Sequence, residues 1–146
     1  MSKVVVAVAL ALMAATAARA QVNMGDVKWG PAPPGLPAGA EAAMMSGDPS
    51  KPGTFVVRLK FPAGYVIPAH RHPASEYVTV LSGDLHLGMG DKLDKAKAAS
   101  LTAGGFAVAG KDMNHYAWSD GGAVLQIQAE GPFEITYVDP KDDPRK

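Results

Sequence analysis

The sequence predicts an all-β fold built from short antiparallel strands. Apolar and polar residues alternate along several segments, as in residues 55–61 (FVVRLKF), which is the two-residue period of a half-buried strand. Turns containing glycine or proline interrupt these segments at short and regular intervals. Strands of this length with such punctuation are typical of a β-sandwich or a β-barrel. Since the chain has no internal repeat, we expect one such domain, over residues 53–138.

Eight strands are expected within this domain. They are predicted at residues 55–61, 65–72, 76–81, 85–89, 106–109, 114–118, 123–129 and 133–138. Asp91 to Ser100 interrupts the pattern and is predicted to be a solvated insertion, in which Asp91 and Lys95 have helical i,i+4 spacing. The charged residues 139–146 are expected to form a solvated tail.

Residues 21–52 are rich in proline, glycine and alanine and have no core-forming period. This composition predicts an irregular N-terminal arm. The arm either packs on the domain or on a second subunit, or it is a mobile linker; the sequence leaves these alternatives open. Trp29 is the residue of the arm that we expect to be buried.

Residues 1–20 have the pattern of a cleavable signal peptide. Lys3 precedes the apolar run 4–15, and Ala18-Arg19-Ala20 supplies a small-x-small cleavage site. The apolar run is short for a permanent membrane anchor, although a retained N-terminal anchor is the alternative. We therefore expect cleavage after Ala20 and a periplasmic or secreted protein.

Composition excludes several classes of function. Loss of residues 1–20 removes two basic residues and no acidic one, so the net charge changes from 0 to −2. A near-neutral chain lacks the positive charge that binds nucleic acid, and no nucleic-acid partner is expected. The chain has no cysteine, which excludes a cysteine-rich structural zinc site and leaves imidazole and carboxylate as metal ligands.

One short segment has the spacing of a metal site. His70 and His72 are two residues apart, so their side chains leave the same face of an extended strand. Glu76 adds a carboxylate oxygen close by. Two imidazole nitrogens with one oxygen suit a divalent first-row transition metal rather than calcium, which prefers oxygen ligands throughout. The alternative is that these residues are unrelated polar groups in a strand and a turn.

The residues around this segment resemble a known family. The run Gly64, five residues, His70-x-His72, three residues, Glu76, six residues, Gly83 resembles the first conserved motif of the cupin superfamily at every defining position. The second cupin motif is matched in part. Its glycine and histidine are present, and three of its positions carry other residues: Gly104 and His115 match, while Gly110, Asp112 and Ser119 replace proline, glycine and asparagine.

The resemblance implies both a fold and a ligand set. It implies a single jelly-roll β-barrel, to which the irregular Pro/Gly-rich arm is attached, and covers about residues 53–138. Carried over position by position, it makes His70, His72, Glu76 and His115 the ligands of one divalent ion, which is Mn, Fe, Ni, Cu or Zn. Small cupins are often dimers, so a homodimer is possible.

The side chains predicted to point into the pocket beside the ligands, here called the inward set, are few and apolar. Strand alternation predicts that Val78 and Val80 line the pocket from one strand, and that Met113 and Ala117 line it from another. The same alternation turns Tyr116 and Trp118 toward an outer face or a subunit contact, and turns His86 toward solvent. Glu76 is then the one candidate for proton transfer, because no other acid or base belongs to the inward set.

These features favour a metal-dependent oxidoreductase of the dioxygenase kind that acts on a small organic molecule, such as an aromatic compound or a carbohydrate derivative. Isomerisation and hydrolysis usually need an acid or base of the protein beside the metal, whereas in oxidation the ion and dioxygen perform the difficult step. A non-catalytic protein that binds a metal or a small ligand is the alternative, followed by a cupin-type isomerase. A purely structural barrel with a vestigial site would bind no metal.

Overall fold

The computed structural model describes residues 21–146, and the predicted signal peptide at residues 1–20 lies outside this range. Ten strands and three short 3-10 helices follow one another along the chain. The strands are β1 Gly30–Pro31, β2 Glu41–Ser46, β3 Gly53–Phe61, β4 Tyr65–Arg71, β5 Glu76–Met89, β6 Ala99–Thr102, β7 Phe106–Ala109, β8 His115–Ser119, β9 Ala123–Gly131 and β10 Thr136–Tyr137. The helices are Met24–Asp26, Lys95–Lys97 and Pro140–Asp142.

The strands form two antiparallel sheets that share β5. One sheet has the order β1-β2-β3-β9-β5-β7, and the other has the order β6-β5-β8-β4-β10. The first half of β5 pairs with β7 and β9, and the second half pairs with β6 and β8. The two sheets therefore curl into a jelly-roll barrel, which confirms the predicted all-β fold class.

Gly83 lies where β5 passes from one sheet to the other. Its φ is +79°, and a Cβ atom at this position would lie 2.0 Å from the carbonyl oxygen of Gly122. Glycine is the one residue that accepts both this backbone conformation and this close approach. The sequence predicted two strands separated by a turn at residues 82–84, whereas the structure has one 14-residue strand with a register shift after Val80.

The barrel interior holds the main core, to which both sheets contribute. Inward residues of β3, β5 and β9 alternate with outward residues, many of which are polar, as the two-residue period requires. The core includes Leu59, Phe61, Ile67, Val78, Val80, Leu85, Leu87, Ala117, Leu125 and Ile127.

The N-terminal arm contains more regular structure than its composition predicts. Glu41–Ser46 forms β2, which pairs along the edge of β3, and Gly30–Pro31 pairs with β2 in turn. The prediction of an irregular arm is corrected for these segments, because pairing with an open sheet edge satisfies backbone groups whatever the local propensity. Trp29, expected to be buried, is half-buried under the Lys60 ammonium, whereas Val27, Ala40 and Ala43 are the buried apolar residues of the arm.

Residues 32–37, here called the strap, lie between β1 and β2 in sequence and reach the opposite edge of the barrel. The Tyr137 hydroxyl on β10 donates to the Gly35 carbonyl at 2.8 Å, and the Tyr65 hydroxyl on β4 donates to the Pro37 carbonyl at 2.6 Å. Burial raises the pKa of Tyr137 to about 12, so its hydroxyl remains a donor at neutral pH. The strap thus packs on its own domain. It follows β1, at one end of the strand order, and is bonded to β10, at the other end.

The insertion and Val138 cover part of the outer face of the second sheet. Tyr116 and Trp118 face away from the barrel interior, as predicted, but they are buried beneath their own chain. The Tyr116 hydroxyl donates to the Asp94 carbonyl at 2.9 Å, and the Lys95 ammonium lies 5.5 Å from the centre of the Trp118 ring. Ala98 and Val138 pack against the same aromatic cluster.

Two further sequence expectations are corrected. Residues 133–138 form a strand only at Thr136–Tyr137, which pair with Arg71 and His70. The Asp91 to Ser100 insertion contains the 3-10 helix Lys95–Lys97 and runs into strand β6. Among residues 21–146, no helix has the length and apolar character needed to cross a membrane.

Removing the Tyr137 hydroxyl should loosen the strap. Tyr137→Phe leaves the buried Gly35 carbonyl without its donor, so we expect a loss of about 1 kcal/mol in the free energy of unfolding, measured by urea denaturation. Tyr77→Phe is the control, because the Tyr77 side chain is 45% exposed and its substitution should change stability little. Equal stability of both variants would contradict the structural role of this bond.

Candidate metal centre

Strand pairing brings the three predicted histidines together. His70 lies near the end of β4 and pairs directly with His115, the first residue of β8. His72 follows β4 by one residue, so it shares a face with His70. The ring nitrogens that these residues offer all lie within 4.8 Å of one another, and all three residues are buried.

The turn before β8 fixes the position of His115 relative to His72. The Asp112 amide donates to the His72 carbonyl at 2.9 Å, which ties this turn to the end of β4. Asp112 has a φ of +58°, and it occupies the position where the second cupin motif has glycine. Aspartate is one of the few non-glycine residues that adopts left-handed backbone without a large cost. Aspartate at this position therefore adopts a conformation that glycine also adopts readily.

Backbone carbonyls determine which nitrogen each histidine offers. The Nδ1 atoms of His70, His72 and His115 lie 2.7, 2.7 and 3.0 Å from the carbonyl oxygens of Pro68, Glu134 and Met113. A carbonyl can only accept a hydrogen bond, so each Nδ1 carries the proton. Each Nε2 is consequently left with a lone pair, which is the form that binds a metal.

Glu76 completes the set as the first residue of β5. One of its carboxylate oxygens lies 3.7 Å from Nε2 of His72 and 3.4 Å from Nε2 of His115, and its side chain is 13% exposed. Nε2 of His115 is buried without a hydrogen-bond partner among residues 21–146. A buried acceptor without a donor is costly unless a cation or a water satisfies it. The four residues thus fit a divalent ion bound by three nitrogens and one oxygen.

Burial keeps two of these histidines neutral. It lowers the pKa of His70 to about 3, with further lowering from the neighbouring His115 and His72. Burial likewise lowers the pKa of His72, although Glu76 opposes this shift. Neutral imidazole is the metal-binding form, so these two ligands are available at neutral pH without first losing a proton.

The four side chains lie at the wall of a cavity of about 670 Å³ in the barrel. Its other walls are almost entirely apolar and come from both sheets and from the strap. The apolar lining includes Phe55, Val57, Leu59, Phe61, Ile67, Val78, Leu85, Leu87, Ala117, Leu125, Ile127, Phe133 and Ile135. A concave site of this size with a few convergent polar groups is the usual form of a small-molecule pocket.

The predicted pocket residues divide into two groups. Val78 and Ala117 line the cavity. Val80 is fully enclosed by the core and presents no surface to the cavity. Met113 is 51% exposed and also lies outside the lining, so its predicted inward position is corrected. Strand alternation does not apply to Met113, since β8 begins only at His115.

Two contributors to the pocket were missed by sequence reasoning. Phe133 stacks on the His72 ring with centroids 4.2 Å apart and planes at 19°, which restrains the ring that carries the ligand nitrogen. The strap supplies Ala32 to Leu36 as a wall. No local pattern in the sequence marks either role, because both depend on contacts between distant segments.

His86, the fourth histidine, lies outside the cavity. It is half-buried on the outer face, where its ring stacks on Trp118 with centroids 4.6 Å apart. Its Nδ1 is 2.8 Å from the Ser100 hydroxyl, and its Nε2 is 3.1 Å from an Asp120 carboxylate oxygen. His86 was predicted to face solvent; it does point away from the interior, but Trp118 and Ser100 cover it, so the prediction of an exposed histidine is corrected.

Comparison with known proteins identifies the family. The sequence model of a protein family, described as the ChrR cupin-like domain, matches residues 17–130. The chain belongs to this cupin family. This confirms the resemblance drawn from the first motif, and cupins commonly bind a metal. No curated protein sequence matches the chain.

Solved structures show the same fold at low sequence identity. The polyketide cyclase RemF from Streptomyces resistomycificus has a TM-score of 0.68 at 16% identity, covering 85% of this chain and 88% of that one. A putative acetylacetone dioxygenase from Methylibium petroleiphilum has a TM-score of 0.64 at 19% identity, covering 99% and 90%. An RmlC-like cupin from Shewanella frigidimarina has a TM-score of 0.57 at 18% identity, covering 75% and 87%.

The metal-free protein should lose stability in acid because of His70. The His70 pKa is about 3 when folded, against 6.5 for a free histidine, so the unfolded chain binds the proton more readily. The free energy of unfolding should therefore fall as pH decreases from about 6.5 to about 3, by at most roughly 1 kcal/mol per pH unit from this residue. Urea denaturation at several pH values measures this slope. His70→Gln should flatten it, and an unchanged slope would contradict the assignment.

Loss of one ligand should abolish metal uptake. The wild-type protein is expected to retain one divalent ion per chain after dialysis, whereas His72→Ala should retain almost none, as measured by elemental analysis. His86→Ala is the matched variant, because His86 lies outside the cavity in the group Asp84, His86 and Asp120; any metal that this variant loses belongs to that outer group and not to the cavity. Equal metal content in wild type and His72→Ala would show that the site is vestigial.

Proposed function

We propose that this protein is an exported, metal-dependent oxidoreductase of the dioxygenase kind that acts on a small organic molecule. The observation that carries the proposal is the set His70, His72, Glu76 and His115 at the wall of a cavity large enough for a ligand. Four protein ligands leave positions on an octahedral ion for exogenous molecules. An open position of this kind is the mark of a catalytic rather than a structural site.

The chain's own residues prepare the site in three ways. The carbonyls of Pro68, Glu134 and Met113 hold the imidazoles in one tautomer and one orientation. Phe133 packs on the His72 ring and the apolar walls exclude water. When bound, a redox-active ion supplies the electron transfer that lets dioxygen react with an organic molecule.

The scarcity of acids and bases favours oxidation over isomerisation or hydrolysis. Within residues 21–146, the titratable side chains that line the cavity are the four candidate ligands and Glu134, which is exposed. Isomerases and hydrolases place an acid or a base beside the reacting atoms. Here Glu76 could act in that way only by leaving the ion. A cupin-type isomerase is therefore the less favoured catalytic alternative.

Similarity of fold is compatible with several chemistries. The solved structure that spans almost all of this chain is described as a putative acetylacetone dioxygenase, which agrees with the proposal. Another cupin of the same fold is a polyketide cyclase. The choice therefore depends on the cavity and its ligands, since a shared fold does not fix function.

Export is part of the proposal and is supported by the sequence of residues 1–20. Lys3, the apolar run and Ala18-Arg19-Ala20 follow the order of a secretory signal. Mass spectrometry of the protein from its native compartment should show a chain that begins at or near Gln21. A chain that retains residues 1–20 would contradict cleavage.

Oxygen consumption tests the catalytic proposal. Protein loaded separately with Fe²⁺, Mn²⁺, Ni²⁺ or Cu²⁺ should consume dioxygen with at least one member of a panel of phenols, diketones and sugars, and an oxygen electrode measures the rate. His115→Ala should lose the activity, because it removes one of the three nitrogen ligands. His86→Ala should keep it.

The same assay separates the competing functions. Metal-loaded protein that consumes no oxygen but binds panel members would be a non-catalytic binding protein. Conversion of a panel member without oxygen uptake would favour the isomerase. Either result would reject the oxidoreductase.

A further inference from the structure

We infer that the ligand of this cavity is a molecule with an apolar body, one monoanionic metal-chelating group and no second charge. This inference rests on the proposed metal site and extends it to the class of substrate. It follows from the charge balance of the four ligands and from the residues that form the cavity wall, each of which sets a separate requirement on the ligand.

The ligand set fixes the charge of the chelating group. The Nδ1 atoms of His70, His72 and His115 all lie at backbone carbonyl oxygens, so each ring offers its Nε2 as a neutral donor. A divalent ion with three neutral imidazoles and the Glu76 carboxylate carries one net positive charge. A monoanionic group neutralises it, whereas a dianionic group would leave an unpaired negative charge in a buried site, at a large cost.

The cavity wall offers nothing to pair a second anion. Among residues 21–146, no lysine, arginine, asparagine or glutamine lines the cavity. Besides the candidate ligands, the polar lining residues are Ser50 and Glu134, both exposed, and Glu134 would repel another anion. A charged or strongly hydrated group far from the ion would therefore lose water without gaining a partner.

The same wall disfavours a carbohydrate and favours hydrocarbon. Each hydroxyl of a sugar requires a hydrogen-bond partner when it is buried, and the residues of both sheets that line the interior are aliphatic or aromatic. Apolar atoms meet no such requirement and gain from burial. The volume of about 670 Å³ admits a body well beyond the chelating group itself.

Met44 offers a way to change this specificity. It lines the cavity from strand β2, pairs with Val57, and is 47% exposed, so a charged side chain there can reach both the cavity and solvent. Its neighbour Met45 lies outside the lining. Lysine at position 44 would give the cavity the cation that it lacks, and lysine at position 45 is the matched control.

The test is a binding series on Co²⁺-loaded protein under argon. Straight-chain alkyl hydroxamates from two to eight carbons all carry the same monoanionic chelating group, and binding is followed by visible absorption of Co²⁺ and by calorimetry. The dissociation constant should fall about fourfold for each added methylene. Gluconohydroxamate, with hydroxyls on a six-carbon chain, should bind about 100-fold more weakly than hexanohydroxamate.

The charge requirement is tested with a second anion. A six-carbon hydroxamate that ends in a carboxylate should bind wild-type protein about 100-fold more weakly than hexanohydroxamate. Met44→Lys should improve its binding about tenfold through a charge-assisted contact, and Met45→Lys should leave it unchanged. Equal improvement by both variants would show that overall charge, rather than the cavity wall, determines the preference.

The outcomes separate this inference from the proposed oxidation. A dissociation constant that does not change with chain length, or gluconohydroxamate that binds as tightly as hexanohydroxamate, overturns the ligand class even if the enzyme consumes oxygen. The expected chain-length series without oxygen consumption supports the ligand class and rejects the oxidoreductase. Protein that takes up no Co²⁺ overturns both.

Discussion

The metal centre depends on three hydrogen bonds from histidine Nδ1 atoms to backbone carbonyls. Each bond settles the tautomer of its ring and aims Nε2 inward, so the lone pairs converge before any ion arrives. The acceptors belong to Pro68 within β4, to Met113 in the turn before β8, and to Glu134 after β9. The fold must therefore place three separate backbone segments correctly for one site to exist.

Two structural devices make that placement possible. Strand β5 belongs to both sheets and passes from one to the other near Gly83, and its first residue, Glu76, lies beside Nε2 of His72 and of His115. The strap joins the two ends of the strand order through the hydroxyls of Tyr65 and Tyr137. Strand β5 positions the ligand Glu76, and the strap forms a wall of the cavity beside the ligands. A reactive centre and its cavity thus rest on different parts of the chain.

Features that depend on residues close in sequence could be predicted, whereas contacts between residues far apart in sequence could not. The alternation of β3 and the spacing of His70, His72 and Glu76 are local, and both were read directly from the sequence. His115 was placed by family resemblance. Met113 was misplaced because its segment is a turn rather than a strand. The strap could not be foreseen, since its bonds join residues 28 and 102 positions apart, and β2 formed against its propensity because β3 offered an open edge.

Asp112 shows what a family motif constrains. The position has the left-handed backbone that glycine adopts readily, and its amide holds the end of β4, although the residue here is aspartate. A search pattern written in residue identities would count this position as a mismatch, whereas one written in backbone torsion angles would count it as a match. Divergent members of the family can thus be recognised by allowing aspartate or asparagine at positions where glycine is required only for its φ angle.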